Sequence, residues 1–208
     1  MVPRIIETDE DLAGGAAELV ALEPRFAPVV EAGPLPLRRR PDGFAALLSA
    51  IVAQQVSTAS AAAIWARLEA AGLTDEESLG AAEEAALRAC GLSRQKMRYA
   101  RALAGAGIDW AALRAADTEA VVATLTAVPG VGRWTAEIYA KFALGHADAF
   151  AAGDLALQEA ARRMFDLPER PRERDLRAIA GHWRPVRAVA ARALWVYYRL
   201  DTDREGVL

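Results

Sequence analysis

LTAVPGVGRWTAEIYAKFALGHADAFAAGDLAL, residues 125–157, is the stretch that decides the fold. It sets Pro129-Gly130-Val131-Gly132 between two helical segments and places Gly153-Asp154 before a third. Gly130 and Gly132 permit backbone angles closed to other residues and clear side chains from the turn. The turn can then present bare N–H groups at the positive end of the macrodipole of the helix opened by RWTA. Such a site suits a phosphate oxygen whatever the base sequence. A bare P-G-V-G equally suits a corner that only lets two helices pack closely, so the surrounding elements carry the decision.

Those elements are helical. Apolar residues recur with the helical period, few stretches alternate with period two, and the expected class is all-α. Start signals stand at Thr8 before DEDLAGGAAELVAL, Pro41-Asp42 before GFAALLSAIVAQQ, Ser57 or Thr58, Ser93 before RQKMRYARALAGAG, and Pro185 before VRAVAARALWVYYRL. They predict roughly ten helices. EAGPLPLRRRPDG (31–43) and DLPERPRERD (166–175) read as the connections between lobes, and the Ala clusters read as tight helix packing. A chain of 208 residues, 53% hydrophobic, is long enough to bury a substantial core.

Composition narrows the function classes. The apolar runs break well short of the ~20 residues that span a bilayer, so a soluble protein without a membrane partner is expected, in the cytoplasm. One cysteine, Cys90, excludes an internal disulfide, a four-Cys cluster and a zinc site built on Cys pairs. The net charge is -3, but residues 88–199 hold 18 Lys/Arg against 11 Asp/Glu, so the segment containing the hairpin is basic. Local charge governs association with a polyanion more than the total does.

The hairpin lacks the G-x-x-x-x-G-K-[ST] pattern and follows no strand, so it is neither a nucleotide-triphosphate loop nor a dinucleotide fingerprint. Asp154 reads as the N-cap of the helix resumed at Leu155, a role worth about 1 kcal/mol. The same position keeps a carboxylate ionised. Aimed at a sugar C1′, that charge would stabilise the oxocarbenium-like state formed as an N-glycosidic bond breaks.

A glycine-rich hairpin, a second helix, a loop and then Gly-Asp resemble the helix-hairpin-helix DNA glycosylase superfamily. Together with AIVAQQVSTASAAAIWARL (50–68), GLSRQKMRYARALA (91–104) and HWRPVRAVAARALW (182–195), the motif is similar to the 3-methyladenine DNA glycosylase II (AlkA-like) family over residues 44–198. The resemblance implies a two-lobed helical fold with a cleft, residues 44–145 forming a six-helix lobe and 1–43 plus 146–208 the other. It implies a monofunctional enzyme that flips alkylated purines out of double-stranded DNA and hydrolyses their glycosidic bond. Asp154 matches the catalytic aspartate. Val128, Gly130, Val131, Gly132, Arg133 and Thr135 match the phosphate-gripping hairpin, and Gln54, Gln55 and Ser57 the wedge, with Gln55 filling the emptied space. Trp134, Ile138, Leu155 and Trp195 match the base pocket, while Trp65, Trp183, Tyr197 and Tyr198 read as core.

Strand-cutting relatives carry Lys where this chain has Trp134, and a Schiff base needs that amine. Lys141, two turns further along the same helical face, is the nearest displaced amine. N-alkylation makes a purine cationic and a good leaving group, and aromatic faces such as Trp134 and Trp195 attract a cation. No cofactor is implied beyond a monovalent cation held by hairpin carbonyls, and a monomer is expected. Two other readings stay open: a glycosylase for uracil, hypoxanthine or an oxidised purine, and a non-catalytic DNA-binding protein.

Overall fold

The computed structural model describes residues 3–202, and helix dominates it. In chain order the helices are α1 (Asp9–Leu22), α2 (Ala27–Glu31), α3 (Phe44–Ala53), α4 (Thr58–Ala70), α5 (Glu76–Ala81), α6 (Glu84–Ala89) and α7 (Arg94–Ala104). They continue with α8 (Trp110–Ala115), α9 (Thr118–Thr126), α10 (Arg133–Phe142), α11 (Leu155–Met164), α12 (Glu173–Ala180) and α13 (Arg187–Thr202). Among the described residues the extended pairing is a single isolated bridge between Ile5 and His146. The surplus over roughly ten helices lies in α2, α5, α6 and α8, which are too short to show a period in sequence.

The chain divides into two compact units, Met1–Arg39 with Ala140–Leu208 and Arg40–Tyr139. The expected border at Gly145 is thus displaced: the division falls inside α10, after Tyr139. Lys141 and Phe142 at the end of α10, and Ala143 and Leu144 after it, are buried and fall in the first unit. The second unit also holds more than the six helices expected of it.

In the first unit, α11 and α1 both pack on α13. Ala188, Ala190, Ala191 and Ala193 of α13 are fully buried, and a Cβ added to Gly15 of α1 would lie 2.8 Å from Val189 Cγ2. Small side chains let these helices approach closely, as the Ala clusters predict. Trp183, 1% exposed, centres an aromatic cluster with Phe26 edge-on at 5.3 Å and Phe165 stacked at 5.5 Å. Full burial of each such side chain stabilises the unit by about 1.5–3 kcal/mol. The segment 166–175 does not separate lobes, since both of its flanks belong to the first unit, and α12 begins within it at Glu173, where Glu173 and Asp175 complement the helix N-terminus.

In the second unit, α3 packs on α4 and α7, and α5 and α6 also lie on α7. Leu47, Leu48, Ile51, Leu68, Leu79 and Leu87 fill the interior. Helix α3 stops at Ala53, before the Gln pair that its sequence pattern would include. Gln54 turns extended and Gln55 takes φ +57, while the Lys96 ammonium donates to the Val52 carbonyl at 2.6 Å. A buried cation at this C-terminus satisfies an orphan carbonyl and opposes the negative end of the dipole. Burial pushes the Lys96 ammonium below its ordinary pKa.

Candidate active site and hairpin

The hairpin lies in the second unit, between α9 and α10. Val128 N–H donates to Leu125 O at 3.1 Å, Val131 N–H to Val128 O at 3.0 Å, and Ala136 N–H to Gly132 O at 3.0 Å. Val128 and Val131 are each 5% exposed, so their side chains anchor the turn while its backbone faces outward. The two glycines differ. Gly130 has φ +93, and a Cβ there would meet Tyr99 Cγ at 2.3 Å. Gly132 has an ordinary φ and open space where a Cβ would go, so the expectation that both glycines adopt angles closed to other residues holds for Gly130 alone.

Among the expected contacts, Thr135 and Ile138 are buried and Trp134 is 39% exposed. Arg133 is committed within the protein: Nη2 donates to Glu119 Oε2 at 2.9 Å and Nε to Glu137 Oε1 at 2.9 Å. Its charge is neutralised by those carboxylates, which weakens its case as a phosphate ligand. The backbone amides of the α10 first turn have no intrahelical acceptor and remain the natural donors.

The wedge residues meet the hairpin inside the same unit. Gln54 Nε2 donates to Gly130 O at 2.9 Å. Gln55 is exposed at its left-handed φ, and the neighbouring Val56 is 39% exposed. Ser57 instead caps α4, its Oγ accepting from Ser60 N–H at 3.2 Å. Sequence reasoning missed Tyr99, whose ring packs on Gly130 and whose hydroxyl accepts from Gln95 Nε2 at 2.7 Å. The only sequence signal for it is the i,i+4 pair on α7.

Asp154 lies in the first unit. Its backbone has φ -71 and ψ 119, and its Oδ1 accepts from Ala156 N–H at 2.9 Å and Leu157 N–H at 3.2 Å. The preceding loop is fixed by the buried Gln158, whose Nε2 donates to Ala152 O at 2.9 Å. The half-buried carboxylate is therefore aimed by backbone, next to Leu155, which is 61% exposed. An apolar side chain left in the open beside an oriented carboxylate is the kind of surface a base could cover.

Helix α13, on which α11 packs, carries Trp195. Its indole stacks on Phe142 with centroids 5.6 Å apart and planes at 10°. Lys141, fully buried, places Nζ 3.4 Å from the Trp195 ring and 4.6 Å from the Phe142 ring. Beneath them Arg192 donates to Ala188 O at 2.9 Å and Leu37 O at 3.1 Å, and Arg39 donates to Phe142 O at 3.2 Å. Burial, with repulsion from Arg39 and Arg38, lowers the Arg192 pKa to about 10. Among the described residues no group of three or more His, Cys, Asp or Glu could hold a metal, and no helix is long and apolar enough to cross a membrane.

Residues 48–185 match the family described as HhH-GPD superfamily base excision DNA repair protein. The chain belongs to the HhH-GPD superfamily. Among the HhH-GPD structures, the DNA-3-methyladenine glycosidase of Bacillus halodurans superposes with a TM-score of 0.83 at 31% identity, covering 91% of each chain. The alkylbase DNA glycosidase-like protein mag2 of Schizosaccharomyces pombe is 24% identical over 200 residues, 90% of this chain and 94% of its own. The probable bifunctional transcriptional activator/DNA repair enzyme AlkA of Mycobacterium tuberculosis is 42% identical over 90 residues, 43% of this chain but only 16% of its own length. The all-helical HhH-GPD fold is common to this chain and to the solved Bacillus halodurans glycosidase.

Proposed function

We propose that the protein is a monofunctional DNA-3-methyladenine glycosylase that excises alkylated purines from double-stranded DNA. The observation that carries this reading is the Asp154 carboxylate, held by two amide N–H groups at the start of α11. Those amide donors fix the direction in which the carboxylate points. As the bond from C1′ to the purine breaks, the base leaves with the electron pair and positive charge develops on the sugar. The carboxylate stabilises that charge, and a water adds to C1′ while passing its proton to the same carboxylate. An N-alkylated purine leaves as a neutral base, so no strong acid is required of the protein.

Trp134 supports hydrolysis over amine attack, because it has no nucleophilic nitrogen at the position where a Schiff-base lysine would stand. Lys141 does not replace that lysine: its ammonium is fully buried against Trp195. Gln55, exposed and set at a strained φ, is the residue we assign to fill the gap left by the flipped nucleotide. The hairpin amides would hold a backbone phosphate. The carbonyls of Val128 and Gly130 already accept from Val131 and Gln54, and each keeps one lone pair to offer a monovalent cation. A single free, buried Cys90 suits a monomer acting in the reducing cytoplasm.

The test is base release from duplexes carrying one alkylated purine. Release is expected, with Asp154→Asn reducing it at least ~1000-fold while binding to abasic-site DNA persists. Borohydride should trap no protein–DNA adduct. Excision that survives Asp154→Asn would remove the assigned role, and a trapped adduct would overturn the monofunctional mechanism. Duplex binding without release of any base would leave a DNA-binding protein.

A further inference from the structure

Most arginines of the second unit are engaged by neighbours within it. Arg67 and Arg101 donate to the carbonyls of Cys90 and Ala82 at 2.8 and 3.0 Å. Arg88, Arg114 and Arg133 pair with the carboxylates of Glu84, Asp42 and Glu119. Arg94 and Arg98, one helical turn apart on α7, are different: both are exposed, and neither forms an ion pair among the described residues. Like charges at this spacing repel each other and destabilise a helix. An anion laid against both guanidinium groups removes that repulsion and gains charge-assisted hydrogen bonds.

The pair flanks the hairpin. Gln95 and Tyr99 each follow one of these arginines in sequence and occupy the adjoining stripe of the helix. The Tyr99 ring packs on Gly130, and its hydroxyl accepts from Gln95 Nε2 at 2.7 Å. The Arg98 guanidinium lies 5.5 Å from the centre of that same ring, so one aromatic side chain stands between this charge and the hairpin tip. The Tyr99 phenol is held below its ordinary pKa by the Gln95 amide first and by Arg98 as well. An open depression of about 440 Å³ is lined jointly by Gln54, Gln55, Gln95, Tyr99 and residues 126–132, so α7 and the hairpin share one surface. We infer that Arg94 and Arg98 form a second phosphate-binding surface on α7, continuous with the hairpin, whose ligand is the sugar-phosphate backbone of duplex DNA. The inference rests on the proposed reading of the hairpin as a phosphate grip. It supplies the charge which that grip lacks, since Arg133 is balanced by Glu119 and Glu137. Guanidinium forks match phosphate oxygens, and contacts of this kind position a duplex without reading its sequence.

The experiment measures binding of the full chain to an undamaged duplex over a range of salt concentrations, for the wild-type protein, Arg94→Gln, Arg98→Gln and the double variant. Each phosphate neutralised contributes about −0.9 to the slope of log K against log salt. Each single variant should therefore flatten the slope by about 0.9 and the double variant by about 1.8, with affinity falling alike for every duplex sequence. The thermal midpoint should stay near wild type, because neither arginine has an ion pair to lose. Arg88→Gln is the control: it removes the same unit of charge from an exposed ion pair with Glu84, and its slope should match the wild-type slope. An unchanged slope in the double variant, or an equal change in Arg88→Gln, overturns the inference. Base release from an alkylated duplex is followed in parallel. If the base is released while the double variant keeps the wild-type slope, the inference falls and the glycosylase reading stands. If the slope flattens but no base is released, the α7 surface stands and the glycosylase reading falls. A wild-type chain that binds no duplex overturns both.

Discussion

Gln54 and Gly130 are 76 residues apart in sequence, yet the Gln54 side-chain amide donates to the Gly130 carbonyl at 2.9 Å. One hydrogen bond thus fastens the turn after α3 to the tip of the hairpin, and it joins into one object the two elements proposed as wedge and phosphate grip. Replacing Gln54 by Ala should cost about 1 kcal/mol in stability, read as a shift of the denaturation midpoint. Abasic-duplex affinity should fall more than this cost alone implies, because the two DNA-facing elements lose their common register. Unchanged affinity would show that the two act independently.

The two hairpin glycines should respond differently to the same change. Gly130→Ala places a Cβ into the Tyr99 ring at a left-handed φ and should destabilise the protein by about 1–3 kcal/mol. Gly132→Ala meets no atom and should leave the thermal midpoint near wild type. If the outward backbone at Gly132 approaches a phosphate, that variant will still bind all duplex sequences more weakly. A loss confined to particular base sequences would argue against phosphate contact.

Asp154 caps α11 and, on the proposed reading, also serves catalysis, and substitutions should separate the two. Asp154→Asn keeps an acceptor for the Ala156 and Leu157 N–H groups, so stability should change by only a few tenths of a kcal/mol. Asp154→Ala removes the cap and should cost about 1 kcal/mol. Both should abolish excision. Equal stability losses in the two variants would show that the cap is not held as described.

Tyr139 supplies a titration marker for the second unit. It is 6% exposed, its hydroxyl accepts from Gly43 N–H at 2.8 Å, and burial raises its pKa to about 12. The folded protein therefore holds the tyrosine proton more tightly than the unfolded chain. Stability from this group is complete below about pH 10 and is lost as pH rises toward 12. Tyrosinate absorbance of the folded protein should show one residue titrating after the others, and Tyr139→Phe should remove that step and flatten the alkaline loss of stability. A single common tyrosine transition would contradict this burial.

Much of the architecture was readable because helix starts are local chemistry. Thr8, Ser57, Ser93 and Asp154 each cap the helix that their side-chain oxygen and the following residues announce. The glycine turn and the Gly-Asp step were readable for the same reason. What the sequence hid depends on partners far along the chain. Nothing near Gly130 announces Tyr99, nothing near Val52 announces Lys96, and nothing near Trp195 announces Lys141. Arg133 is the opposite case: it looked available for DNA because the Glu119 and Glu137 carboxylates that engage it are visible only in space.

That engagement has a consequence for how the protein would meet its substrate. On the proposed reading, a hairpin whose arginine is balanced by two glutamates would grip through peptide dipoles, and uncharged donors displace few of the counterions condensed along a duplex. Association on the proposed reading should therefore decline only gently as ionic strength rises. An overall negative chain could then travel along undamaged DNA without lingering, and its dwell time would be set by whether a nucleotide can be extruded rather than by general attraction to the polyanion.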